Sequence, residues 1–449
     1  MPLVKGDKIY LLGFSNIESA YLKRVISHAK FTGDGSNASL WIVNQLSADS
    51  IAEMVAPSIR CLCFIGPGTF LAGWKKWLNC DFSELSEYAL IPANKPRVLL
   101  PIKRLDWILD SLSLHRPGRG LARLGVKLTK ILAMVGFITP LKKRVLFIAT
   151  KFNKIDPQGL KQTGLSVKEI GCPKSFAIYF GLPSDDRKTV ILPIGGKISS
   201  ILKQGITPEA RIAIRNEAKA LEYLSETKLH SLVPTLLNVV ETNDSITLIQ
   251  EYRPRLNLPS KKIHREVVSF LTQLSFEKRE HKSLNDVLHN LLCQFPDVVE
   301  KPDSKVYSGL LKRLQKLALA GTMVLGHQSH GDFAPWNFSW TRKGFFVYDW
   351  EKSQAWDIAF ADAFYYTIAP TLYINDVKIP PQNALTSLFA IADKIKIETN
   401  LKNCNIYLYV SLWLIYQKGL DRNNKHSILD EMLYLLSIKS KFDHYNHSE

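Results

Sequence analysis

The first part of the chain alternates short apolar runs with segments of helical composition. KIYLLG begins at Lys8, SLWIVNQ at Ser39 and IRCLCFIGP at Ile59, and each run has the length of a strand. The segments between them, such as 17–30, have helix-like composition, so residues 1–114 are predicted to form an α/β domain. The next apolar stretch, EYALIPANKPRVLLPI, is interrupted by prolines and is predicted to be an edge or connecting segment.

Residues 115–160 have a different pattern, which predicts a linker built around a basic amphipathic helix. Its apolar positions recur at helical spacing and are Leu121, Leu124, Leu128, Ile131, Leu132 and Val135. Its basic positions recur on another face and are Arg116, Arg119, Arg123, Lys127 and Lys130. Two interpretations stay open. The helix packs on its own domain with a solvated basic face, or residues 116–130 dock on an anionic membrane surface.

From residue 161 the pattern changes to strands joined by tight turns. LSVKEIG, SFAIYFGLP and KTVILPIGG are strand-like, and PSDDRK is typical of a hairpin turn. A helix follows, TPEARIAIRNEAKALEYLSE, with Thr207 as its N-cap and Pro208 at its first position. VPTLLNVVET and SITLIQEY are two further strands. Residues 161–253 are therefore predicted to be a small antiparallel sheet that carries one helix.

The remaining residues, 254–449, have a mostly helical pattern. Helices are predicted over 261–292, 303–325, 357–370, 382–396, 404–419 and 426–441. A small sheet with one helix, followed by a helical body, predicts an α+β domain of two lobes. The crevice between such lobes is the expected ligand site.

The charge of the chain is strongly basic and unevenly distributed. The net charge is +17, and residues 95–154 hold 14 Lys and Arg against only Asp106 and Asp110. Such a surface favours anionic partners, and it disfavours a polycationic substrate. Nucleic acid is also disfavoured, because the basic segment lacks interleaved aromatic residues.

The six cysteines have no metal-ligand spacing and no CxxC pair, which is typical of reduced thiols in a cytosolic protein. No secretory leader and no apolar run of membrane-spanning length is visible. A cytoplasmic location is therefore predicted. The membrane interpretation of residues 116–130 would place the protein peripherally at the inner face of the membrane.

The candidate chemistry lies in SHGDFAPWNFSWTRKGFFVYDWE, which begins at Ser329. Asp332 can take a proton from an alcohol. Asn337, and Asp349 twelve residues beyond it, offer the hard oxygen ligands that Mg²⁺ prefers. Asp, Asn and Asp in this order suit phosphoryl transfer. The alternative is that these residues only cap turns and a helix, as Asp and Asn commonly do.

At these residues the sequence resembles the aminoglycoside phosphotransferase and choline kinase family, a branch of the protein-kinase-like fold. His330-Gly331-Asp332 with Asn337 resembles the H-x-D-x-x-x-x-N catalytic loop, VYDWE resembles the metal-binding Asp segment, and WDIAFADAFYY resembles the helix that follows. The resemblance covers roughly residues 165–440. HGDFAPWN is also similar to kinase-like proteins associated with bacterial glycan and surface-polymer synthesis.

The resemblance implies an enzyme that uses ATP and Mg²⁺ to phosphorylate a hydroxyl group. It implies that Asp332 is the catalytic base, that His330 supports the loop and that Asn337 and Asp349 hold Mg²⁺. It also implies that Glu217 is the helix carboxylate of the nucleotide site. Likewise, LIQEYRP resembles the hinge that binds adenine, so Glu251 is a candidate nucleotide-binding residue.

One expected residue is missing from the sequence pattern. Such kinases carry a Lys on the third strand that binds nucleotide phosphates. If TVILPIGG is that strand, Ile191 or Pro193 occupies the position, and Lys197 at the following bend is a candidate substitute. Two hypotheses follow. The chain is a kinase acting on a small-molecule or glycan acceptor that is neutral or anionic, or it is a pseudokinase-like module that binds nucleotide or a partner without transfer.

Overall fold

The structure is a computed structural model that describes most of the chain from residue 200 onward and shorter ranges before it. The described residues are 8–12, 30–31, 40–44, 61–66, 84–91, 97–112, 128–131, 134, 141, 145–150, 175–180, 184–195, 200–243, 245–256, 260–295, 305–374, 379–401, 404–421 and 427–438. Two compact units are present. The first comprises Met1–Ile214 and Leu236–Tyr252, and the second comprises Arg215–Thr235 and Arg253–Glu449.

The first unit is built mainly from strands. Its described elements are β1 Lys8–Leu12, β2 Lys30–Phe31, β3 Leu40–Asn44, β4 Cys61–Gly66, β5 Glu84–Ile91, β6 Val98–Pro101, α1 Leu105–Leu112, β7 Val145–Thr150, β8 Ser175–Phe180, β9 Lys188–Ile194, β10 Ser200–Gly205, the start of α2 Pro208–Ser225, β11 Leu236–Glu241 and β12 Ile246–Glu251. The division between the units falls within α2, so this helix contributes residues to both.

All these strands join one sheet in the order β11-β12-β10-β9-β8-β6-β5-β7-β4-β3-β1-β2. Strands β1 to β4 pair in parallel, and the other pairs are antiparallel. The sheet therefore runs without interruption through the regions predicted as 1–114 and 161–253. The predicted domain boundaries, including the linker 115–160, stay predictions.

The predicted strands at the start of the chain are confirmed as β1, β3 and β4. The prediction for EYALIPANKPRVLLPI was wrong. It forms a hairpin of β5 and β6, and β6 also pairs with β8, so this segment lies inside the sheet and not at its edge. The prolines do not interrupt the ladder, because Pro101 ends β6 and the others lie between the two strands.

The antiparallel part of the sheet contains a strand that the sequence pattern did not predict. Strand β10, SILKQG, pairs with β9 on one side and with β12 on the other. The predicted turn between β8 and β9 is confirmed, and so is the start of α2, where the Thr207 hydroxyl accepts the N–H of Ala210 at 3.2 Å. Gly205 ends β10 so close to Ala210 that a Cβ there would lie 2.8 Å from its backbone.

The second unit is mainly helical, as predicted. Its further described elements are β13 Arg255–Leu256, α3 Ser260–Leu274, β14 Glu280–Ser283, α4 Leu284–Gln294, α5 Lys305–Leu319, β15 Met323–Ser329, β16 Phe338–Thr341, β17 Gly344–Val347, β18 Gln354–Ile358, α6 Ala361–Tyr373, α7 Pro381–Glu398, α8 Ile406–Leu420 and α9 Ser427–Ile438. Two three-stranded sheets, β13-β16-β17 and β14-β15-β18, accompany these helices.

Three predicted helices of this unit had wrong boundaries. The helix predicted over 261–292 is interrupted after Leu274, because Lys278 adopts a left-handed conformation and β14 follows. The helix predicted over 303–325 ends at Leu319, since Gly321 has a φ of 78° and β15 begins at Met323. The start of 357–370 belongs to β18. The last three predicted helices are confirmed as α7, α8 and α9, with ends shifted by one to three residues.

Little of the predicted basic helix lies within the described residues. Residues 128–131 are helical, and the apolar Leu128, Ile131 and Met134 are 53%, 57% and 60% exposed. Lys130 is half-buried, and the other four basic positions lie outside the described residues. Within the described ranges, no helix has both the length and the apolar character required to cross a membrane.

Candidate active site

His330 follows the end of β15 and is completely buried in the second unit. Its Nε2 lies 2.7 Å from the carbonyl oxygen of Tyr348, and its Nδ1 accepts the N–H of Asp332 at 3.3 Å. These partners require that Nε2 carries the proton and Nδ1 the lone pair. The imidazole therefore joins the loop that carries Asp332 to the segment after β17.

A second buried residue holds the same loop. Asp362, in the first turn of α6, accepts the N–H of His330 at 2.7 Å and the N–H of Gly331 at 3.0 Å. Only 3% of Asp362 is exposed. Burial raises its pKa to about 7, against the lowering effect of the two N–H donors.

Gly331 has a φ of 77°, a left-handed conformation that glycine adopts without a steric penalty. A Cβ at this position would collide with the backbone carbonyl of Lys352. The tight turn and the close approach both require glycine.

Asn337 and Asp332 form the central pair of the site. The Asn337 amide nitrogen donates to the Asp332 backbone carbonyl at 2.7 Å and to its carboxylate Oδ2 at 3.2 Å. Because only the amide nitrogen can serve both acceptors, the Asn337 Oδ1 points elsewhere and is available as a hard oxygen ligand. The side-chain amide thus fixes the direction of the Asp332 carboxylate.

The backbone brings Asn337 close to Asp349. Strands β16 and β17 pair Phe338 with Val347, and the Asn337 carbonyl accepts the N–H of Tyr348 at 2.7 Å. Asp349 is the next residue and adopts a left-handed conformation with a φ of 69°. The two predicted metal ligands therefore flank one end of the same hairpin.

Asp349 also belongs to a group of three carboxylates. Ligand oxygens of Asp349, Glu351 and the fully buried Glu217 all lie within 4.8 Å of one another. The amide of Asn216 anchors α2 here by donating to the carbonyls of Glu351 at 2.6 Å and of Ser353 at 2.8 Å. Carboxylates this close repel one another when ionised, so a cation beside them is favoured.

Glu217, predicted only by resemblance, is therefore placed by the structure beside a predicted metal ligand. Glu351 and Asp362 were missed. Both residues lie in segments that the resemblance had singled out, Glu351 at the end of VYDWE and Asp362 within WDIAFADAFYY. The sequence pattern did not indicate which groups either carboxylate would contact.

The site lies against an aromatic core. The His330 ring lies 4.6 Å from that of Trp350, and Phe270 stacks on Phe333 with ring centroids 5.4 Å apart. Phe333 and Trp350 are fully buried. Packing of this kind explains the aromatic residues of the motif, because it keeps the loop backbone rigid around Asp332.

Two residues of the first unit, Lys197 and Glu251, were predicted to bind nucleotide, and only Glu251 is described by the structure. Lys197 lies outside the described residues. Glu251 ends β12 opposite Ser200 of β10 and is half-buried, directly before the division between the units. Its contribution to nucleotide binding stays a prediction.

The first unit contains a buried strand lysine that the sequence pattern did not assign. Counted from β8, KTVILPI is the second strand of the run β8-β9-β10, so Ile191 and Pro193 do not lie on the third strand of this run. LSVKEIG, which the sequence pattern counted as an earlier strand, lies outside the described residues. The third strand of the run is β10, and it carries Lys203, which pairs with Val190 on β9 and with Leu248 on β12. Lys203 is only 8% exposed, and a buried lysine in the middle of a sheet is rare without a charged partner or ligand.

The chain thus contains an antiparallel run with Lys203 on its third strand, then a helix with Glu217, then a hairpin flanked by Asn337 and Asp349. This order of elements is protein-kinase-like. The prediction of a small antiparallel sheet with one helix, followed by a helical part, is confirmed by the elements themselves.

Comparison with known proteins found similar solved structures but no matching sequence. No family model matches the chain, and no curated protein matches it. An amicoumacin kinase in complex with AMP-PNP and Ca²⁺ is similar at a TM-score of 0.38 and 12% identity, over 59% of this chain and 88% of that one. The gentamicin–APH(2″)-IIa complex has a TM-score of 0.37 and 13% identity, over 64% and 97%. A microcompartment-associated aminopropanol kinase has a TM-score of 0.37 and 13% identity, over 58% and 89%.

Proposed function

We propose that this chain is a phosphotransferase that moves the terminal phosphate of ATP to a hydroxyl group of a small molecule or glycan. The observation that carries the proposal is the orientation of Asp332. Its carboxylate is held by the Asn337 amide, on a loop whose N–H groups are bound by Asp362. The two contacts together fix the backbone of the loop and the direction of the Asp332 carboxylate.

Asp332 is the proposed catalytic base. Its side chain is 16% exposed, so the carboxylate is reachable yet largely screened from water. It would accept the hydroxyl proton while the acceptor oxygen attacks phosphorus, a contribution of about 10²–10⁴-fold for a positioned base. Positioning accounts for much of the remaining catalysis in phosphoryl transfer.

The donor set near Asp349 fits Mg²⁺. The cation usually takes one or two carboxylates and completes its shell with water and phosphate oxygens. Asp349 and the Asn337 Oδ1 would hold it, and Glu351 and Glu217 add negative charge nearby. When bound, Mg²⁺ neutralises charge on the nucleotide phosphates.

Lys203 is the proposed phosphate-binding lysine of the nucleotide site. Its place on the third antiparallel strand supports this assignment over Lys197. The pseudokinase hypothesis was based on the missing strand lysine, and the proposed assignment of Lys203 would supply that lysine.

The acceptor is proposed to be neutral or anionic. The net charge of +17 disfavours a polycationic acceptor. The glycan assignment, with a place in surface-polymer synthesis, has its support only in the resemblance of HGDFAPWN.

Transfer of label from γ-labelled ATP to a panel of hydroxyl-bearing acceptors tests the proposal. We expect Mg²⁺-dependent transfer to at least one acceptor, with loss of transfer in Asp332→Asn. A wild-type protein that binds neither Mg²⁺-ATP nor an ATP analogue would contradict the proposed activity.

Membrane contact through residues 116–130 stays a separate prediction. The exposure of Leu128, Ile131 and Met134 favours it over packing of the helix on its own domain. Co-sedimentation with vesicles of anionic and of neutral lipid tests it, and equal binding to both would remove it.

A further inference from the structure

Three aromatic residues that the proposed chemistry does not use lie on the loop of Asp332 and on α6. Trp336 lies four residues after Asp332 on the same loop, and Tyr365 lies one helical turn after Asp362, whose carboxylate holds that loop. The Tyr365 and Tyr373 rings lie 6.2 Å apart at 46°, and the rings of Trp336 and Tyr373 lie 6.2 Å apart at 86°. Trp336, Tyr365 and Tyr373 are called the acceptor-side cluster below.

The acceptor-side cluster differs from the aromatic core beneath the loop. Phe333 and Phe338 are 0% and 4% exposed, whereas Tyr373 is 54% exposed and Trp336 and Tyr365 are half-buried. Burial and the Asp332 charge raise the pKa of the Tyr365 hydroxyl above its ordinary value. The cluster therefore presents partly exposed ring faces next to the loop that carries the proposed base.

Aromatic faces beside a carboxylate suit two kinds of ligand. A sugar ring places its C–H face on the aromatic ring and gives its hydroxyls to the polar groups. A quaternary ammonium group binds the same faces through cation–π attraction. The charges around Asp332 decide between the two.

Lys352 supplies the deciding charge. Its Nζ lies 3.8 Å from the Asp332 Oδ2, and its side chain is 56% exposed. A cationic ligand in this place would meet the like charge of Lys352, whereas a neutral sugar would meet none.

We propose that the acceptor-side cluster binds the ring of a carbohydrate acceptor and directs one of its hydroxyl groups to Asp332. The inference depends on the proposed function. A bond forms between the sugar oxygen and the γ-phosphorus of ATP, and the bond from that phosphorus to the β–γ bridging oxygen breaks. The hydroxyl proton passes to Asp332, and ADP leaves.

Binding of sugars in the absence of nucleotide tests the cluster directly. Saturation-transfer NMR on the full chain would use methyl hexosides, methyl hexuronides, hexose phosphates and choline as probes. We expect saturation of ring protons in at least one sugar class and none in choline. Signals from choline alone, or from no sugar, would overturn the inference.

Substitutions locate the binding to the cluster. Tyr373→Leu and Trp336→Leu should each lower sugar affinity roughly two- to tenfold, the range for loss of one aromatic contact. Tyr373→Phe keeps the ring and should retain most of the affinity. The matched control is Tyr434→Leu, because Tyr434 is 52% exposed on α9 and is assigned no part in the site. Unchanged sugar binding in both Leu variants that still fold, judged by their thermal unfolding, would overturn the assignment.

The same variants separate this inference from the proposed function. If the chain is a kinase but the cluster does not bind the acceptor, transfer occurs and Tyr373→Leu leaves the acceptor KM unchanged. If the chain is not a kinase, neither Mg²⁺-ATP binding nor transfer is observed. The NMR experiment, which contains no nucleotide, still shows whether the cluster binds sugar.

Discussion

The Asp362 carboxylate accepts the backbone N–H groups of both His330 and Gly331, at 2.7 and 3.0 Å. A residue thirty-two positions away thus sets the backbone conformation of the loop that carries Asp332. The catalytic loop is shaped by tertiary contacts at two points, because the His330 ring also binds the Tyr348 carbonyl.

The titration of Asp362 predicts a pH dependence of stability. Its pKa is about 7 in the folded protein and near 3.8 in the unfolded chain. Since the folded pKa is raised, its contribution to stability is complete below the unfolded pKa and is lost as pH rises through 7. Relative to Asp362→Asn, which does not titrate, wild type should lose stability between pH 4 and 7, by at most about 1.4 kcal/mol per pH unit. Urea unfolding of both proteins across this range measures the difference. A difference that does not change with pH, or that grows in favour of wild type, would contradict the raised pKa.

Asp332→Asn should leave nucleotide binding intact and lower transfer by about 10²–10⁴-fold. The amide keeps the size of the side chain but removes the base, whereas Asn337 and Asp349 remain. Calorimetry with an ATP analogue measures the first effect, and single-turnover transfer measures the second. A variant with full transfer activity would exclude Asp332 as the base.

Asp349→Ala should abolish the Mg²⁺-dependent part of nucleotide affinity. One of two proposed protein ligands is lost, so charge on the nucleotide phosphates is left uncompensated. Titration of an ATP analogue with and without Mg²⁺ measures this effect. The matched control is Asp393→Ala, which removes an exposed carboxylate from α7. The metal assignment fails if both variants keep the same Mg²⁺ dependence as wild type.

Lys203→Met should weaken nucleotide binding and slow transfer, because the apolar stem keeps its packing in β10 while the charge is removed. Lys219→Met, at an exposed position of α2, is the control for loss of one positive charge. Filter binding of labelled ATP distinguishes them. Equal ATP affinities in the two variants would contradict the assignment of Lys203 and leave Lys197 as the candidate phosphate-binding lysine.

Gly331→Ala should disrupt the catalytic loop. Gly321→Ala is the matched control, because the two glycines have the same backbone conformation. Gly331 and Gly321 have nearly the same φ, 77° and 78°, but a Cβ at Gly321 meets no atom within 4 Å. Both Ala variants should lose about 1 kcal/mol or more of stability from the left-handed conformation. Only Gly331→Ala should also lose transfer activity, because its Cβ displaces the Lys352 carbonyl. Equal activity in the two variants would show that the loop tolerates this displacement.

The sequence by itself determined the parts that depend on local pattern. Alternating apolar runs predicted β1, β3, β4, β8 and β9, and the N-cap with proline located the start of α2. The offset of Asn337 from Asp332 identified the central pair of the site, because five residues suffice to return an amide to the carboxylate.

Only the tertiary structure decided the remaining features. Strand β10 is buried between β9 and β12, so its membership in the sheet comes from backbone pairing on both sides and not from alternation in SILKQG. Because this strand was not predicted from the sequence, Lys203 was not recognised as a strand lysine. In the same way, Glu217 and Asp362 lie far along the chain from the residues they contact, and their positions follow from how α2 and α6 pack. Hydrophobic periodicity indicates which face of a helix or strand is buried, but it does not indicate which polar groups of other elements that face contacts.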